Sequence, residues 1–533
     1  MSTTRTRNKS PRVTQRDRDK RSPIRPLKSP KKKQTQTRTK QPSPVHARNR
    51  TRTRSKSPKR SPRRTKSTRS NRLTGGLFKG SGSYGCGFLD PLATTGATRV
   101  TAPGKRIGKV MSRRDAETEL AAMRPFMALD PKGQWGVYAD ATPLLVDSAN
   151  AVESAGSAVE LRKCDVKHLQ HAIELAAQAQ EKPPGQERTD YIEAMKATYE
   201  LRKKQYAELK DDTNQKAFLE AHPEMKIDDL YDMFQLEYDF ASAGDMWDVF
   251  NKLAEESFTD YTDVCLRVQA HFVAFSNLTH GLAAYHAGSL VHRDIKPTNI
   301  VLASGTHDAP GEYKFIDFGA SLPLAEAKTS NYQANPYIYW PLYTIVVFAE
   351  IELQQKEERE HRALPPINSD DLLSLQQDEE DKDGGMWFPR WVNNASVYER
   401  AMKNLDKFAI GGNVTAVGAV DLGRVAALYA DVFALYVPTL AHLYWALTYV
   451  RFTEHAAKDA TSPAAYEISP PLQDGESPTM FAFASSELGG RVSAALAQLM
   501  VDVSCGVLVT ASDAAVRFQR VVDMFLPQVP AKP

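Results

Sequence analysis

The chain has few cysteines and opens without an apolar segment. Its four cysteines, Cys86, Cys164, Cys265 and Cys505, lie far apart and form no CxxC pair. This spacing predicts neither a zinc ribbon nor a disulfide framework, and Cys86 is interpreted as a small packing residue. The opening residues, MSTTRTRNKS, contain no apolar core of a secretory signal, so we expect the protein not to be secreted. A reducing, intracellular setting fits both observations.

Acidic and large apolar side chains are nearly missing from residues 1–72. This segment carries 27 Lys or Arg and two Asp, whereas the remaining residues carry 42 basic and 62 acidic side chains. A segment of this composition cannot bury enough apolar surface to offset its conformational entropy, so we expect a disordered basic arm. The arm also contains six Ser-Pro pairs. Its charge predicts binding to nucleic acid or to another acidic partner, and the alternative is a tail that only increases solubility.

Only one long hydrophobic run is present, at residues 433–450. These 18 residues contain no Asp, Glu, Lys or Arg, which just meets the length expected of a membrane span. The run also contains Pro438 and His442 and begins just after Asp431. A buried core helix is therefore the preferred interpretation, and no membrane partner is expected.

From Leu73 onward the composition is that of a globular protein, and the hydrophobic pattern predicts mixed helices and strands. The predicted elements are a strand, glycine turn and strand at 77–90, strands at 105–112 and 232–240, and helices at 113–129 and 262–286. Helical spacing of apolar residues among charges at 191–210 indicates an amphipathic insertion. A second insertion is expected at 346–425, which includes the acidic run DEEDKD.

A group of polar residues lies in the stretch LVHRDIKPTNIVL, residues 290–302, where Asp294, Lys296 and Asn299 fall between two apolar patches. FIDFG follows with Asp317, and upstream lie the glycine loop GSGSYG and the strand residue Lys109. Phosphoryl transfer from ATP needs this set. Glycines admit the phosphates, a lysine neutralises them, carboxylate and carboxamide oxygens hold Mg²⁺, and another carboxylate accepts the hydroxyl proton.

These motifs, in this order, resemble the eukaryotic-type Ser/Thr protein kinase family over residues 74–530. The resemblance implies an α+β, bilobal protein-kinase fold with a small β-rich N-lobe containing one key helix and a larger helical C-lobe. The domains are expected at 1–72 for the basic arm, at 73–240 for the N-lobe with a helical insertion at about 141–228, and at 241–533 for the C-lobe with an insertion at about 346–425. ATP and Mg²⁺ are the implied cofactors, and Ser/Thr residues of proteins are the implied substrates.

The resemblance assigns roles in the nucleotide site. Lys109 is expected to pair with Glu119 of the following helix. Glu237 is expected to offer its backbone carbonyl to adenine, with Leu236 before it lining the pocket. The glycines of the loop are expected to contact the phosphates; they are Gly80, Gly82 and Gly85.

It also assigns roles around the catalytic loop. Asp294 is the expected proton acceptor, Lys296 the partner of the γ-phosphate, and Asn299 and Asp317 the ligands of Mg²⁺. Structural support is expected from four side chains, which are His292, Arg293, Phe318 and Asp431. The resemblance also implies a regulatory stack of side chains formed by Met123, Phe318 and His292. Arg293 is typical of kinases controlled by phosphorylation of the activation segment, where Thr329, Ser330 and Tyr332 are candidates.

Two positions above adenine depart from the family pattern. Where the family has a Val two residues after the third glycine of the loop, this chain has Gly87. Where the family has an Ala two residues before the strand lysine, this chain has Ile107. One site loses methyl groups while its neighbour gains them, so we expect the two changes to conserve the volume above adenine.

A second departure affects a buried ion pair of the family. In place of the family's Ala-Pro-Glu motif, this chain has Trp340-Pro341-Leu342. The Glu of that motif pairs with an Arg in the family, and this chain has Leu508 at the position of the Arg. Both charges are absent together, which is tolerated far better than the loss of one partner. We therefore expect Leu342 to pack near Leu508.

The segments SYGCGFLDPL and YIYWP resemble most the kinases of giant DNA viruses, which would place the protein in the host nucleus, the cytoplasm or the virion. Two other functions compete with an active kinase. One is a pseudokinase scaffold, which the two insertions and the altered segment allow. The other is a nucleic-acid-binding packaging protein that acts through the basic arm.

Overall fold

Five short strands form an antiparallel sheet in the first part of the computed structural model, which describes most of the chain between residues 76 and 526. The described residues are 76–82, 84–95, 104–140, 142–222, 230–255, 258–326, 339–341, 344–345, 347, 400–405, 420–455, 465–469 and 478–526. They all belong to one compact unit, Ser70–Pro533. The basic arm, Thr329, Ser330, Tyr332, Leu342 and most of the expected insertion at 346–425 lie outside the described residues.

The strands of this sheet have the order β1-β2-β3-β5-β4, and every neighbouring pair is antiparallel. Their bounds are β1 Leu77–Ser81, β2 Gly85–Leu89, β3 Arg106–Met111, β4 Leu144–Leu145 and β5 Phe234–Asp239. Helix α1, Arg113–Leu129, follows β3 directly and has the predicted bounds. It starts at Ser112, whose hydroxyl accepts a hydrogen bond from the Asp115 N–H and so satisfies one of the exposed donors of the first turn.

Because side chains alternate along a strand, the sheet has two faces of different character. Ile107, Lys109 and their β5 partners Tyr238 and Leu236 lie on one face, which contributes to the main core. The residues that alternate with them along the strands, such as Val110, lie on the other face, which contributes to a second core. A site built around Lys109 can therefore use side chains from only one of these two faces.

Between β4 and β5, the described residues of the region predicted as a helical insertion form five helices and a 3₁₀ turn. They are α2 Ala151–Ser154, α3 Ala158–Arg162, the 3₁₀ turn Lys167–Leu169, α4 Gln170–Ala179, α5 Gln186–Glu208 and α6 Asp212–Ala221. Apolar residues of α2, α3 and α4 pack with Phe88 and Val110 of the sheet in the second core, and α5 contributes Ile192 to a third, smaller cluster with α4. The insertion therefore covers the sheet face that lies away from Lys109.

One covalent link in the second core contradicts the sequence analysis. Cys86 of β2 and Cys164, which follows α3, form a disulfide across 78 residues of sequence, although no disulfide was expected. Both residues are fully buried, so Cys86 fills core space as expected and is also bonded to the insertion. The other two cysteines, Cys265 and Cys505, are free and buried.

Helices dominate the described part of the chain after the sheet. The helices are α7 Met246–Glu255, α8 Tyr261–Ala287, α9 Val420–Ala434, α10 Leu440–Thr448, α11 Pro478–Ala484, α12 Glu487–Ser504 and α13 Ala511–Asp523. Short strand pairs accompany them; these are β6 Leu290–Val291 with β9 Leu322–Pro323, β7 Ile300–Gly305 with β8 Pro310–Phe315, and β10 Arg451–His455 with β11 Ala465–Ser469.

The apolar run at 433–450 is the buried core helix that the sequence predicted. A π-helical turn, Leu435–Thr439, which contains Pro438, joins α9 to α10. The span Gly423–Thr448 is the one candidate for a membrane helix among the described residues, and 94% of its most apolar window is buried inside the protein. A small sheet with one prominent helix, followed by a larger helical part, confirms the expected bilobal α+β kinase fold.

Candidate active site

The lysine of β3 joins three separate parts of the chain. The Lys109 Nζ lies 2.7 Å from Glu119 Oε2 of α1 and 3.1 Å from Asp317 Oδ1, which is 208 residues further along the chain. These two contacts bring together the strand lysine, the helix carboxylate and the FIDFG carboxylate, as the sequence predicts. Burial would lower the pKa of the Lys109 ammonium, but the two carboxylates outweigh it and raise that pKa above its ordinary value.

Glu119 is the charged member of an otherwise apolar helix face. The buried residues of α1 recur at helical spacing, and they are Ala116, Glu119, Leu120, Met123 and Phe126. A carboxylate in such a stripe needs a charged or hydrogen-bonding partner because its burial is otherwise costly. Lys109 supplies this partner, whereas the exposed Glu117 of the same helix pairs with Arg113.

Asp317 has a backbone conformation that aims its carboxylate towards Lys109. Its φ is 59°, in the left-handed region that non-glycine residues rarely adopt. Backbone strain of this kind is found mainly at functional sites. Burial would raise the pKa of its carboxyl, but the neighbouring ammonium of Lys109 holds that pKa below its ordinary value. The peptide before it is tied to the catalytic loop, since the Ile316 N–H donates to the Asn299 carbonyl at 2.9 Å.

The residues of the catalytic loop converge on Asp294. Lys296 Nζ lies 2.9 Å from Asp294 Oδ2, and Asn299 Nδ2 donates to the same oxygen at 2.7 Å and to the Asp294 carbonyl at 2.9 Å. Asn299 is almost fully buried, whereas the Asp294 and Lys296 side chains are partly exposed. A fixed carboxylate beside a partly exposed lysine fits a site that receives a hydroxyl group and a phosphate.

Asp431 of α9 supports this loop, as expected, by accepting hydrogen bonds from its backbone. Its two carboxylate oxygens accept the backbone N–H groups of His292 and Arg293, each at 2.7 Å. His286 also contacts it, with Nε2 3.3 Å from Asp431 Oδ2, although the sequence analysis assigned no role to this histidine. Burial lowers the pKa of His292 despite the nearby carboxylates, so this imidazole is neutral at pH 7.

Phe318 lies in a stack of aromatic side chains behind the site. Its ring centroid is 4.9 Å from that of His292, 4.9 Å from that of Phe126 and 5.2 Å from that of Tyr138. Met123 is fully buried in the same core, and its sulfur accepts the Ala139 N–H at 3.1 Å. The expected contact between Phe318 and His292 is present, and two further rings that the sequence analysis did not name, Phe126 and Tyr138, also contact Phe318.

The glycines of the loop differ in what their missing side chains permit. A Cβ on Gly80 would meet no atom within 4 Å, and one on Gly82 would meet only the Gly85 carbonyl oxygen, at 3.9 Å. A Cβ on Gly85 would lie 2.7 Å from the Val110 carbonyl oxygen. Gly85 is therefore required by packing between β2 and β3, whereas Gly80 and Gly82 leave open space where a phosphate could approach the backbone.

Ile107 fills the space that Gly87 leaves open. A Cβ on Gly87 would lie 3.4 Å from Ile107 Cδ1 and 3.9 Å from Ile107 Cγ1, which is ordinary van der Waals contact. Both residues lie on the sheet face of Lys109, because Gly87 pairs with Lys109 and Ile107 is two residues before it. This geometry supports the expected exchange of volume between the two positions.

The structure corrects the role expected for Glu237. Its carbonyl accepts the Asp140 N–H at 2.9 Å, and its buried side chain lies on the sheet face opposite Lys109, where Gln235 Nε2 donates to it at 3.2 Å. The segment that connects β5 to α7 must therefore begin after Glu237. Because Phe240 N–H donates to Lys105 on β3, the alternation of the backbone turns the Asp239 carbonyl and the Ala241 N–H away from β3.

Two functional candidates were missed by the sequence analysis. Tyr238 reaches the helix carboxylate, since its buried hydroxyl donates to Glu119 Oε1 at 2.5 Å. Asp245 caps α7 by accepting the Asp248 N–H at 2.8 Å, and burial raises its pKa to about 6. The spacing of a Gly-Asp before an amphipathic helix could have identified Asp245 as a cap, but its pKa shift depends on burial.

Asp317 and Asn299 are suited to only part of a metal site. Within the part of the chain that the structure describes, no three His, Cys, Asp or Glu side chains come together in a way that could hold a metal ion. Mg²⁺ usually takes only one or two protein carboxylates and completes its shell with phosphate oxygens and water. Asn299 Nδ2 points to Asp294, so its Oδ1 faces away from that residue and can act as a ligand beside Asp317.

Of the two residues that replace the family's buried ion pair, Leu342 and Leu508, the structure describes only Leu508. Leu508 is partly buried against the main core, and Leu342 lies outside the described residues, so their contact stays a prediction. Trp340 is described, and its indole Nε1 donates to the Arg293 carbonyl at 3.1 Å.

Comparisons with known proteins point to Ser/Thr protein kinases. No family model matches the chain. The chain is 55% identical over 49 residues to the probable serine/threonine-protein kinase PkwA of Thermomonospora curvata, which is 9% of this chain and 6% of that protein. It is 31% identical over 114 residues to the serine/threonine-protein kinase CAK1 of Saccharomyces cerevisiae, which is 20% of this chain and 30% of that protein.

A crystal structure of the BubR1 kinase domain overlaps 84% of both chains at 9% sequence identity, with a TM-score of 0.30. The matched segments span less than a third of the curated relatives named here. None of the relatives named here comes from a giant DNA virus. The similarity in sequence supports a eukaryotic-type Ser/Thr protein kinase.

Proposed function

We propose that the protein is an ATP- and Mg²⁺-dependent protein kinase that transfers the γ-phosphate of ATP to Ser or Thr hydroxyls of proteins. The observation that carries this proposal is the double contact of Lys109 Nζ with Glu119 and Asp317. A lysine held by a helix carboxylate and aimed at a metal-binding aspartate has the arrangement needed to position and neutralise a triphosphate.

Each side chain of the site then has one task. Lys109 neutralises the α- and β-phosphates, and Asp317 and Asn299 are the residues that would hold Mg²⁺, which supplies charge neutralisation between the phosphates when bound. Asp294 orients the substrate hydroxyl and accepts its proton, while Lys296 stabilises the transferring group. The lysine two residues after Asp294 is the feature that favours Ser/Thr over Tyr substrates.

A pseudokinase scaffold is disfavoured because the phosphate, metal and proton-acceptor residues are all present, with Lys109 in contact with Asp317 and Asn299 in contact with Asp294. Nucleic-acid binding through residues 1–72 stays a prediction, which salt-dependent DNA binding by the full chain tests. An intracellular location and the relation to viral kinases also stay predictions.

The decisive experiment measures transfer of labelled phosphate from ATP to a generic basic protein. Asp317→Ala removes a metal ligand, so we expect a fall of at least about 100-fold in kcat. Asp523→Asn, an exposed position at the end of α13, is the matched control and should keep full activity. Phospho-amino-acid analysis of the product identifies the acceptor. Absence of transfer by the wild type, with or without Mg²⁺, would refute the proposal.

A further inference from the structure

Side chains from three separate elements hold the backbone just before Asp294. Asp431 accepts the N–H groups of His292 and Arg293, and the Ser321 hydroxyl donates to the His292 carbonyl at 3.1 Å. Such a concentration of side-chain hydrogen bonds on two consecutive peptides is unusual, because most backbone groups are paired with other backbone groups.

The carbonyl of Arg293 is held as well, by Trp340. The indole Nε1 is a donor only, and it lies 3.1 Å from this carbonyl oxygen. Trp340 is partly buried against the main core, and its large planar ring limits how far its N–H can move. Both polar groups of the Arg293 backbone are therefore fixed, one by Asp431 from α9 and one by Trp340.

The conformation of Arg293 explains why it needs two anchors. Its φ is 69°, in the left-handed region, which a side chain of this size adopts only when the surroundings impose it. The Arg293 carbonyl belongs to the peptide that links Arg293 to Asp294. A rotation of that peptide would move the Asp294 carboxylate away from Lys296 and Asn299, which contact it from the other side.

We infer that Trp340 is a positioning residue for Asp294, which its indole N–H holds in place through the Arg293 carbonyl. This inference rests on the proposed function for its effect on catalysis, but the contact itself exists in the protein without substrate. Trp340 stands where the family motif has a small residue, in the segment that also lacks the Glu of the ion pair. The tryptophan therefore gives the altered segment its own attachment to the catalytic loop.

The test uses the full chain with Trp340 replaced by Phe and, separately, by β-(3-benzothienyl)alanine, which keeps the ring shape and lacks the N–H. Loss of one buried hydrogen bond should lower kcat by about three- to tenfold in both variants, with the KM for ATP changed by less than about twofold. Trp247→Phe is the matched control, since Trp247 lies on α7 and is partly exposed. It should leave kcat unchanged.

A second readout does not depend on activity. Amide hydrogen exchange of residues 290–296 should become faster by about three- to tenfold in both Trp340 variants and stay unchanged in Trp247→Phe. If the wild type transfers no phosphate, the proposed function fails and the exchange result alone decides the role of Trp340. Wild-type exchange in the benzothienyl variant, or equal effects in the Trp247 control, would overturn the inference.

Discussion

The paired change at Gly87 and Ile107 gives a quantitative prediction for nucleotide affinity. Ile107→Ala removes three carbon atoms from the sheet face of Lys109. Burial of a methylene contributes about 0.8 kcal/mol, so the ceiling is about 2.4 kcal/mol for three carbons. Part of the Ile107 side chain contacts Gly87 and the core rather than a ligand. About half the ceiling, roughly 1.2 kcal/mol, is therefore expected, which weakens ATP binding about eightfold.

The structure also predicts how a second substitution changes this result. A Cβ on Gly87 would already touch Ile107 Cδ1 at 3.4 Å, so the methyl groups of Gly87→Val compete with Ile107 for the same space. Overpacking of this kind costs about 1–3 kcal/mol. In the double variant, the valine introduced by Gly87→Val should occupy the space that Ile107→Ala vacates and recover at least about half of the lost affinity.

Calorimetric titration of ATP into the four proteins of this cycle measures the coupling directly. Val110→Ala is the matched control on the same strand, because Val110 is buried against the helical insertion on the opposite sheet face. It should lower the free energy of unfolding without changing ATP affinity. Strictly additive effects of the Gly87 and Ile107 substitutions, or a negligible change in Ile107→Ala, would refute the reasoning.

Two further predictions concern residues that the structure adds to the site. Tyr238→Phe removes the hydrogen bond to Glu119, so phosphate transfer should fall about tenfold. Tyr191→Phe, at a partly buried position of α5 in the helical insertion, should leave transfer unchanged, and equal rates in the two variants would contradict the assignment. The raised pKa of Asp245 means that the folded state binds its proton more tightly, so stability falls as pH rises from 3.8 to about 6. Asp245→Asn should raise the free energy of unfolding at pH 7.5 by about 1 kcal/mol and flatten this slope, as denaturant titrations at several pH values will show.

Local sequence signals were sufficient for the elements that carry the site. The helix Arg113–Leu129 was predicted with its observed bounds, since its apolar spacing and the cap residue just before it, Ser112, are local features of the sequence. The meeting of Lys109 and Asp317, 208 residues apart, was implied by the resemblance to the kinase family and not by any local signal. The run at 433–450 was predicted to be buried by its length and its Pro438.

The misses depend on contacts between distant segments. Leu236 and Tyr238 face the same side of β5, so the alternation of side chains cannot tell which of them contacts Glu119. The strand register, which pairs Tyr238 with Ile107, decides this, and it depends on a distant strand. The same register places Glu237 opposite Gly108, with its side chain on the face away from Lys109, which the sequence analysis did not foresee. Cys86 and Cys164 carry no shared local pattern across 78 residues, so their bond could not be read from spacing.

The position of the helical insertion has a consequence for how the chain folds. Leu145 of β4 pairs with Phe234 of β5, and everything between them must be accommodated before this edge of the sheet can close. Closure of so long a loop is entropically slow unless the intervening residues first form compact local structure. The helices between these strands shorten the effective loop. During synthesis, the lysine strand can therefore acquire its β5 neighbour only after the whole insertion has emerged from the ribosome.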